Sequence, residues 1–241
     1  MDRVDDLSDE ELIAVYQVED RSARHLRANF VSSLDGAVEI DGQSKALSSD
    51  SDSRVFSMAR RLADVVLVGA GTVRDEGYNP LRLSKAAREW RTSAGLAENP
   101  TLAIVSSRLE LSPVNPVFRS AVRPIVVTHE ASPADRREAL AEVADLIVVG
   151  AAEVDLQALV DELAARELPQ ILCEGGPHLL GSLTEADLVD ELCLALAPLL
   201  AGPGSGRITA GPPTTLTRQM KLRSTLTATD DYLFFRYTRE A

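Results

Sequence analysis

Aromatic side chains are scarce in this sequence: five Phe, four Tyr and one Trp among 241 residues. Yet 45% of the residues are hydrophobic, so a full core has to be filled mainly by Val, Leu, Ile and Ala. Cysteine is scarcer still. Cys173 and Cys193 each lie inside an apolar run, QILCEGG and ELCLALA, and read as small core residues. The three histidines, His25, His129 and His178, are scattered, and neither Cys-x-x-Cys nor His-x-x-x-His spacing occurs. No metal site is expected. Lys and Arg (25) are outnumbered by Asp and Glu (37), for a formal charge of −12. That balance argues against nucleic acid or an anionic membrane as the main partner, since either requires a positive field. A phosphorylated small molecule, which needs only two or three local donors, stays open. No apolar run approaches the ~20 residues of a membrane span. The start, MDRVDDLSDEELIAVYQVED, lacks the apolar stretch of a signal peptide. A cytoplasmic protein is expected.

What the sequence does contain is alternation. Apolar runs of strand length occupy Arg27–Ser33, Asp64–Gly69, Leu102–Ser106, Pro124–Thr128, Leu146–Gly150, Gln170–Cys173 and Glu191–Ala197. They are rich in Val, Ile and Leu, as strands covered on both faces are. Helical patterns lie between them: Val55, Ala59 and Leu62 after capping Ser and Asp residues, and Leu156, Leu159, Val160 and Leu163. Ser132-Pro133-Ala134-Asp135 reads as a helix start, with a hydroxyl cap and proline in the first helical position. Lys221–Thr229 and Tyr232–Thr238 flank Asp230-Asp231 as a hairpin. Residues 1–24 form a short helix or a mobile lead-in, and residues 82–99 a long surface connection or helix. The expected fold class is α/β, three layers around a mostly parallel sheet with a C-terminal antiparallel hairpin, in one domain over residues 25–241.

Three motifs stand at strand ends. Asn29-Phe30-Val31-Ser32-Ser33-Leu34-Asp35-Gly36 carries an acid that could be partly desolvated near a ligand, raising its pKa, although Asp35-Gly36 also makes a plain turn. Val68-Gly69-Ala70-Gly71-Thr72-Val73-Arg74 offers close backbone approach, or simply a tight strand-to-helix turn. Cys173-Glu174-Gly175-Gly176-Pro177-His178-Leu179 ends a strand in an acid, exposes two glycine amides and opens a helix at Pro177, the pattern of an anion site. Ligands of open α/β sheets bind at the carboxyl ends of strands, so the three motifs should meet in one crevice.

VSSLDG, VGAGTVR, CEGGPHLLG and LVDELCLALAPLLAG, in this order, resemble the reductase domain of bacterial riboflavin-biosynthesis pyrimidine deaminase/reductases, from about residue 26 to 238. The resemblance implies a dihydrofolate-reductase-like fold, NADPH, usually a homodimer, and reduction of 5-amino-6-(5-phosphoribosylamino)uracil. It implies cofactor contacts at Val31, Gly69, Gly71, Thr72, Glu76, Gly175, Gly176, Pro177, His178 and Leu179. Ser106 and Arg108 would suit the adenosine 2′-phosphate. Substrate contacts fall at Asp35, Ser44, Arg60, Arg82 and Glu174, with Asp35 and Glu174 as the catalytic acids. The apolar Leu188–Ala197 run is a candidate dimer surface. Two departures stand out: Ala37 replaces a basic residue after Asp-Gly, and the Thr-x-Arg-x-Asp-Asp-Pro run becomes Thr72-Val73-Arg74-Asp75-Glu76-Gly77-Tyr78. No Pro-Cys-x-x-Cys of a zinc deaminase occurs, so a stand-alone reductase is expected. A folate or pterin reductase on the same fold, or a non-catalytic NADPH-binding paralogue, are the other readings.

Overall fold

The computed structural model describes residues 1–214 and 217–240. Nine strands form one sheet: β1 (His25–Ser33), β2 (Val65–Gly69), β3 (Thr101–Val105), β4 (Ile125–Thr128), β5 (Asp145–Val148), β6 (Gln170–Cys173), β7 (Glu191–Ala197), β8 (Met220–Thr227) and β9 (Leu233–Arg239). Their order is β5-β4-β3-β2-β6-β1-β7-β9-β8. The first seven are mutually parallel; β9 runs antiparallel to β7, and β8 to β9. This is the mostly parallel, three-layer sheet with a terminal hairpin that the pattern of runs implied.

Both faces of the central parallel strands are covered, which is why β2, β3, β4 and β6 are nearly continuously apolar rather than alternating. On one face Leu26, Val65, Leu67, Ile171 and Cys173 pack under α6 (Leu156–Ala165) and α7 (Pro177–Glu185). On the other, Val66, Val68, Leu102 and Ile104 meet α2 (Asp50–Leu62), α3 (Ala70–Asp75) and α5 (Ala134–Ala141). The seven expected parallel strands are all present, within one or two residues at either end. Among these seven, β5 departs from two-sided burial because it is an edge strand, as is β8, whose Lys221, Leu222 and Arg223 are exposed.

Three local details depart from the sequence pattern. Helix α5 begins one residue later than expected: Pro133 is its N-cap, and the buried Ser132 hydroxyl has no partner instead of capping. Residues 82–99 contain α4 (Lys85–Ser93), whose Arg91 is buried and donates to the carbonyls of Arg61, Ala63 and Ala97. Of the alternatives for residues 1–24 the short helix is found. Helix α1 (Asp9–Tyr16) starts with a Ser8/Glu11 capping box and buries Leu12, Ile13 and Tyr16 against α2, β7 and β9. No helix among the described residues is long and apolar enough to cross a membrane.

The amino-terminal edge of the sheet is closed by charge. Glu191 opens β7 with no exposed surface and accepts from Arg27 (2.6 Å), Arg236 (2.9 and 3.0 Å) and His25 (3.1 Å). The two arginines also donate to the carbonyls of Tyr16 and Val15, so the cluster anchors α1. Burial alone would raise the Glu191 pKa, but the Arg27 charge and the other donors hold it well below the usual carboxylate range. Glu191→Gln leaves two buried guanidiniums unbalanced and should cost about 3–5 kcal/mol in urea unfolding at pH 7. A depressed folded pKa means stability present above the unfolded value, about 4.3, and lost as pH falls. The variant should therefore show a flatter acid limb, and identical acid limbs would remove Glu191 from this role.

Candidate active site

Two strand-to-helix turns lie side by side at the carboxyl edge. After β6 the chain turns through Glu174-Gly175-Gly176 into α7, with Gly175 at φ +101°, a conformation that favours glycine. The Gly175–Gly176 peptide is cis. The amide of Gly69, at the end of β2, donates to the Gly175 carbonyl at 2.7 Å. A Cβ on Gly176 would stand 2.9 Å from the Thr72 hydroxyl oxygen of α3, so the two turns meet without room for a side chain. Pro177 opens α7 at its first position, and Gly176, its N-cap, offers no side-chain cap to the first-turn amides.

A cleft of about 570 Å³ opens over these turns, floored by Asn29, Phe30 and Val31 of β1 and walled by α2 and the 72–82 segment. At its centre Glu174, with its side chain only 3% exposed, is gripped by Arg60 of α2. Arg60 Nε and a terminal nitrogen each donate at 2.7 Å to one carboxylate oxygen. Tyr78 donates its hydroxyl to the same carboxylate at 2.5 Å and accepts from Arg60 at 2.8 Å. The Arg60 guanidinium lies 4.3 Å from the Phe56 ring centroid, a cation–π contact. Burial first, then the Glu174 charge, pushes the Tyr78 phenol well above its ordinary pKa, so it stays a proton donor to the carboxylate.

The predicted site residues other than Asp35 separate into three groups. Val31, Ser44, Arg60, Thr72, Glu76, Arg82, Glu174, Gly176 and Pro177 all line the cleft. Ser44 and Glu76, assigned to different ligands, are joined by a 2.8 Å hydrogen bond across it. Gly69, Gly71, Gly175 and Leu179 build the turns behind, and His178 is exposed on α7. Ser106 and Arg108 follow β3, paired beside β2; Ser106 is buried, and Arg108 is exposed near Glu110. Neither lines the cleft.

Asp35 does not meet Glu174 in one crevice. It borders a separate hollow of about 400 Å³ beside the Gly202–Gly206 loop. There its carboxylate accepts from Ser33 and from the amides of Ala201 and Gly202. Those bonds lower its pKa to about 2, the opposite of the elevation expected from desolvation, because the carboxylate is exposed and well supplied with donors. Sequence reasoning missed Asp52 and Lys45, which also line the cleft. Asp52 was hidden among the Ser and Asp residues that cap α2.

The RibD C-terminal domain family model matches residues 24–234, nearly the whole chain. The chain belongs to the RibD C-terminal domain family. Among curated relatives, this RibD C-terminal domain is 28% identical over 175 residues to the 2,5-diamino-6-ribosylamino-4(3H)-pyrimidinone 5′-phosphate reductase of Archaeoglobus fulgidus, covering 72% of this chain and 80% of that one. The Methanothermobacter thermautotrophicus protein of the same name is 27% identical, over 74% and 80%. A solved pyrimidine reductase-like protein from Corynebacterium diphtheriae superposes with a TM-score of 0.85 at 25% identity, covering 98% of this chain and all of the other. The RibD protein of Acinetobacter baumannii, at 17% identity, shares the fold alone, with a TM-score of 0.72 over 91% of this chain and 59% of that one. The relatives are pyrimidine phosphate reductases of riboflavin biosynthesis, and the mixed α/β fold is shared with solved proteins of that group.

The Arg60–Glu174–Tyr78 cluster carries a stability prediction of its own. Arg60→Ala strands a nearly buried carboxylate and should cost about 3–5 kcal/mol. Tyr78→Phe removes one donor and leaves the bidentate pair, at a cost of about 1–2 kcal/mol. Because the three groups share atoms, the double variant should lose less than the sum. Strict additivity in urea titrations would show that Tyr78 and Arg60 act independently.

Proposed function

We propose that this RibD C-terminal domain is an NADPH-dependent reductase of a 6-ribosylaminopyrimidine 5′-phosphate: 5-amino-6-(5-phosphoribosylamino)uracil or its 2-amino counterpart. The observation that carries the reading is the cleft itself. It sets an arginine-fixed acid beside two interlocked glycine turns, as a site for a pyrophosphate and a small polar substrate requires.

The residues fit a dinucleotide. Gly69, Gly71, Gly175 and Gly176 allow backbone to approach the pyrophosphate, and the first-turn amides of α7 at His178 and Leu179 supply donors. Val31, Thr72, Glu76 and Pro177 would flank the nicotinamide half. Ser106 and Arg108, one strand further out, suit the adenosine 2′-phosphate as a hydroxyl and a cation. When bound, the nicotinamide supplies the hydride that turns a ribosylamino group into a ribitylamino group.

The protein's own part is positioning and proton handling. Glu174, pinned by Arg60 and Tyr78, orients the substrate or exchanges a proton with it. Ser44 and Arg82 line the substrate's path, and Lys45 and Arg82 are exposed cations at the cleft suited to the 5′-phosphate. Such cations suit a phosphate dianion. Asp35 is better suited to fixing the 201–202 loop than to chemistry, given its three donors. A homodimer is proposed on the family resemblance. The Leu188–Ala197 run itself is accounted for as an interior strand.

NADPH oxidation by purified protein, with ribosylaminopyrimidine phosphate compared against dihydrofolate, is the direct test; turnover of dihydrofolate alone would overturn the reading. Gly176→Val should abolish NADPH binding while the protein stays folded, because its Cβ collides with Thr72 and blocks backbone approach. Glu174→Gln should keep nucleotide affinity within a few fold and lower turnover by about 10²–10⁴. Unchanged turnover in that variant would leave Glu174 a purely structural partner of Arg60.

A further inference from the structure

The cleft holds a recessed acid apart from the Arg60–Glu174–Tyr78 cluster. Asp52, in the first turn of α2, is 7% exposed and lines the cleft wall. Its one hydrogen bond through the side chain comes from the Ser48 hydroxyl to Oδ2, at 2.5 Å. Among the described residues Oδ1 accepts nothing, and no Lys or Arg pairs with the carboxylate. Burial pushes its pKa up, and the negative Asp230, held by Ser51 nearby, adds to the effect. A helix start needs no such arrangement: Asp50, in the same turn, is exposed and interacts with the dipole from solvent. A recessed carboxylate that lines the cleft with one oxygen free to accept is placed to meet a ligand's donors.

A second polar group lies next to it. Asn29, on β1, lines the same cleft, and its side-chain amide makes no hydrogen bond among the described residues. Asn29 and Asp52 also border a common crevice beneath the cleft, with Cys193 and Phe235. The lining of the cleft thus includes a recessed acid and an amide, Asp52 and Asn29, as well as the exposed cations Lys45 and Arg82.

We infer that Asp52, assisted by Asn29, reads the edge of the substrate's ring and selects a 2-amino-4(3H)-pyrimidinone over a uracil. The inference rests on the reductase reading above and narrows its substrate. A 2-amino-4(3H)-pyrimidinone presents two adjacent donors, the ring N3–H and the 2-amino group. A carboxylate presents two acceptors at matching spacing, and such a charge-assisted pair restores what burial cost the acid. A uracil places its 2-oxo group where the amine would be, so an oxygen would face the carboxylate. Asn29, with both a donor and an acceptor, suits the neighbouring 4-oxo and 5-amino groups of either ring. The reaction that supplies this substrate would accordingly leave the 2-amino group in place, and hydrolytic deamination would follow reduction.

The test compares the two phosphorylated substrates, 2-amino and 2-oxo, with wild type and Asp52→Asn. Wild type should favour the 2-amino form by about 10²-fold or more in kcat/KM, since a site built for N–H donors rejects a ring lacking one. The amide of Asp52→Asn offers one donor and one acceptor, matching the uracil edge. It should narrow or invert the preference while NADPH affinity stays within a few fold. Equal use of both substrates by wild type, or a variant that slows both with their ratio unchanged, would overturn the inference. Calorimetric binding of 2,5,6-triaminopyrimidin-4-one against 5,6-diaminouracil reads the same edge without turnover. If neither phosphate is reduced but wild type still selects the triamino ring, the reductase reading fails and the assignment of Asp52 survives. If neither ring is preferred, the assignment fails whatever the turnover.

Discussion

The hydrogen bond from the Gly69 amide to the Gly175 carbonyl is the contact on which the carboxyl edge of this molecule depends. It ties the turn after β2 to the turn after β6, although the two are distant in sequence. Once they are tied, the Glu174 amide can donate to the Leu67 carbonyl, and the Glu174 side chain lies within reach of Arg60 on α2. The closeness of Gly176 to Thr72 follows from the same approach of the backbones. Two turns, one helix and one ion pair are thereby brought together by one backbone contact.

The sheet carries a buried or nearly buried glutamate at each end, with different consequences. Glu191, at the amino edge, is shared by two arginines and a histidine and is sealed from solvent. Its donors are also bound to α1, so the cluster is committed to holding the fold. Glu174, at the carboxyl edge, has one arginine and one phenol, and borders open space. A charge held in place yet still accessible can interact with a substrate; a charge surrounded on all sides can only stabilise.

The layers and strands were legible in the sequence because burial on both faces leaves a continuous apolar run, which needs no knowledge of neighbours. The glycine turns were legible as well, since Gly69, Gly175 and Gly176 stand at the ends of such runs. Side-chain partnerships were not. Nothing local in Asp35-Gly36 says that the carboxylate turns toward Ala201 and Gly202, more than a hundred and sixty residues away. The same holds for Arg91, an apparently ordinary charge of a polar helix that proves to be buried under three carbonyls. Asp52 was masked differently: in a Ser- and Asp-rich stretch, a cap and a cleft acid look alike until burial separates them. Ser132 shows the converse, a good local cap signal overruled when the helix begins one residue later.

The strand order also has a consequence for how the chain comes together. Strands β2 to β5 are neighbours in sequence and in space, so each can pair with its predecessor as it is made. β1 cannot. It lies between β6 and β7, with His25 opposite Gln170 and Arg27 opposite Glu191. At the usual ribosomal pace of roughly 5–20 residues per second, the first strand waits on the order of ten seconds before either neighbour emerges. Through that interval Leu26, Ala28 and Phe30 have no sheet to enter, and both edges of β1 stand open. Completion of the central sheet is thus postponed to the end of translation, with the high contact order and slow closure that such a topology imposes.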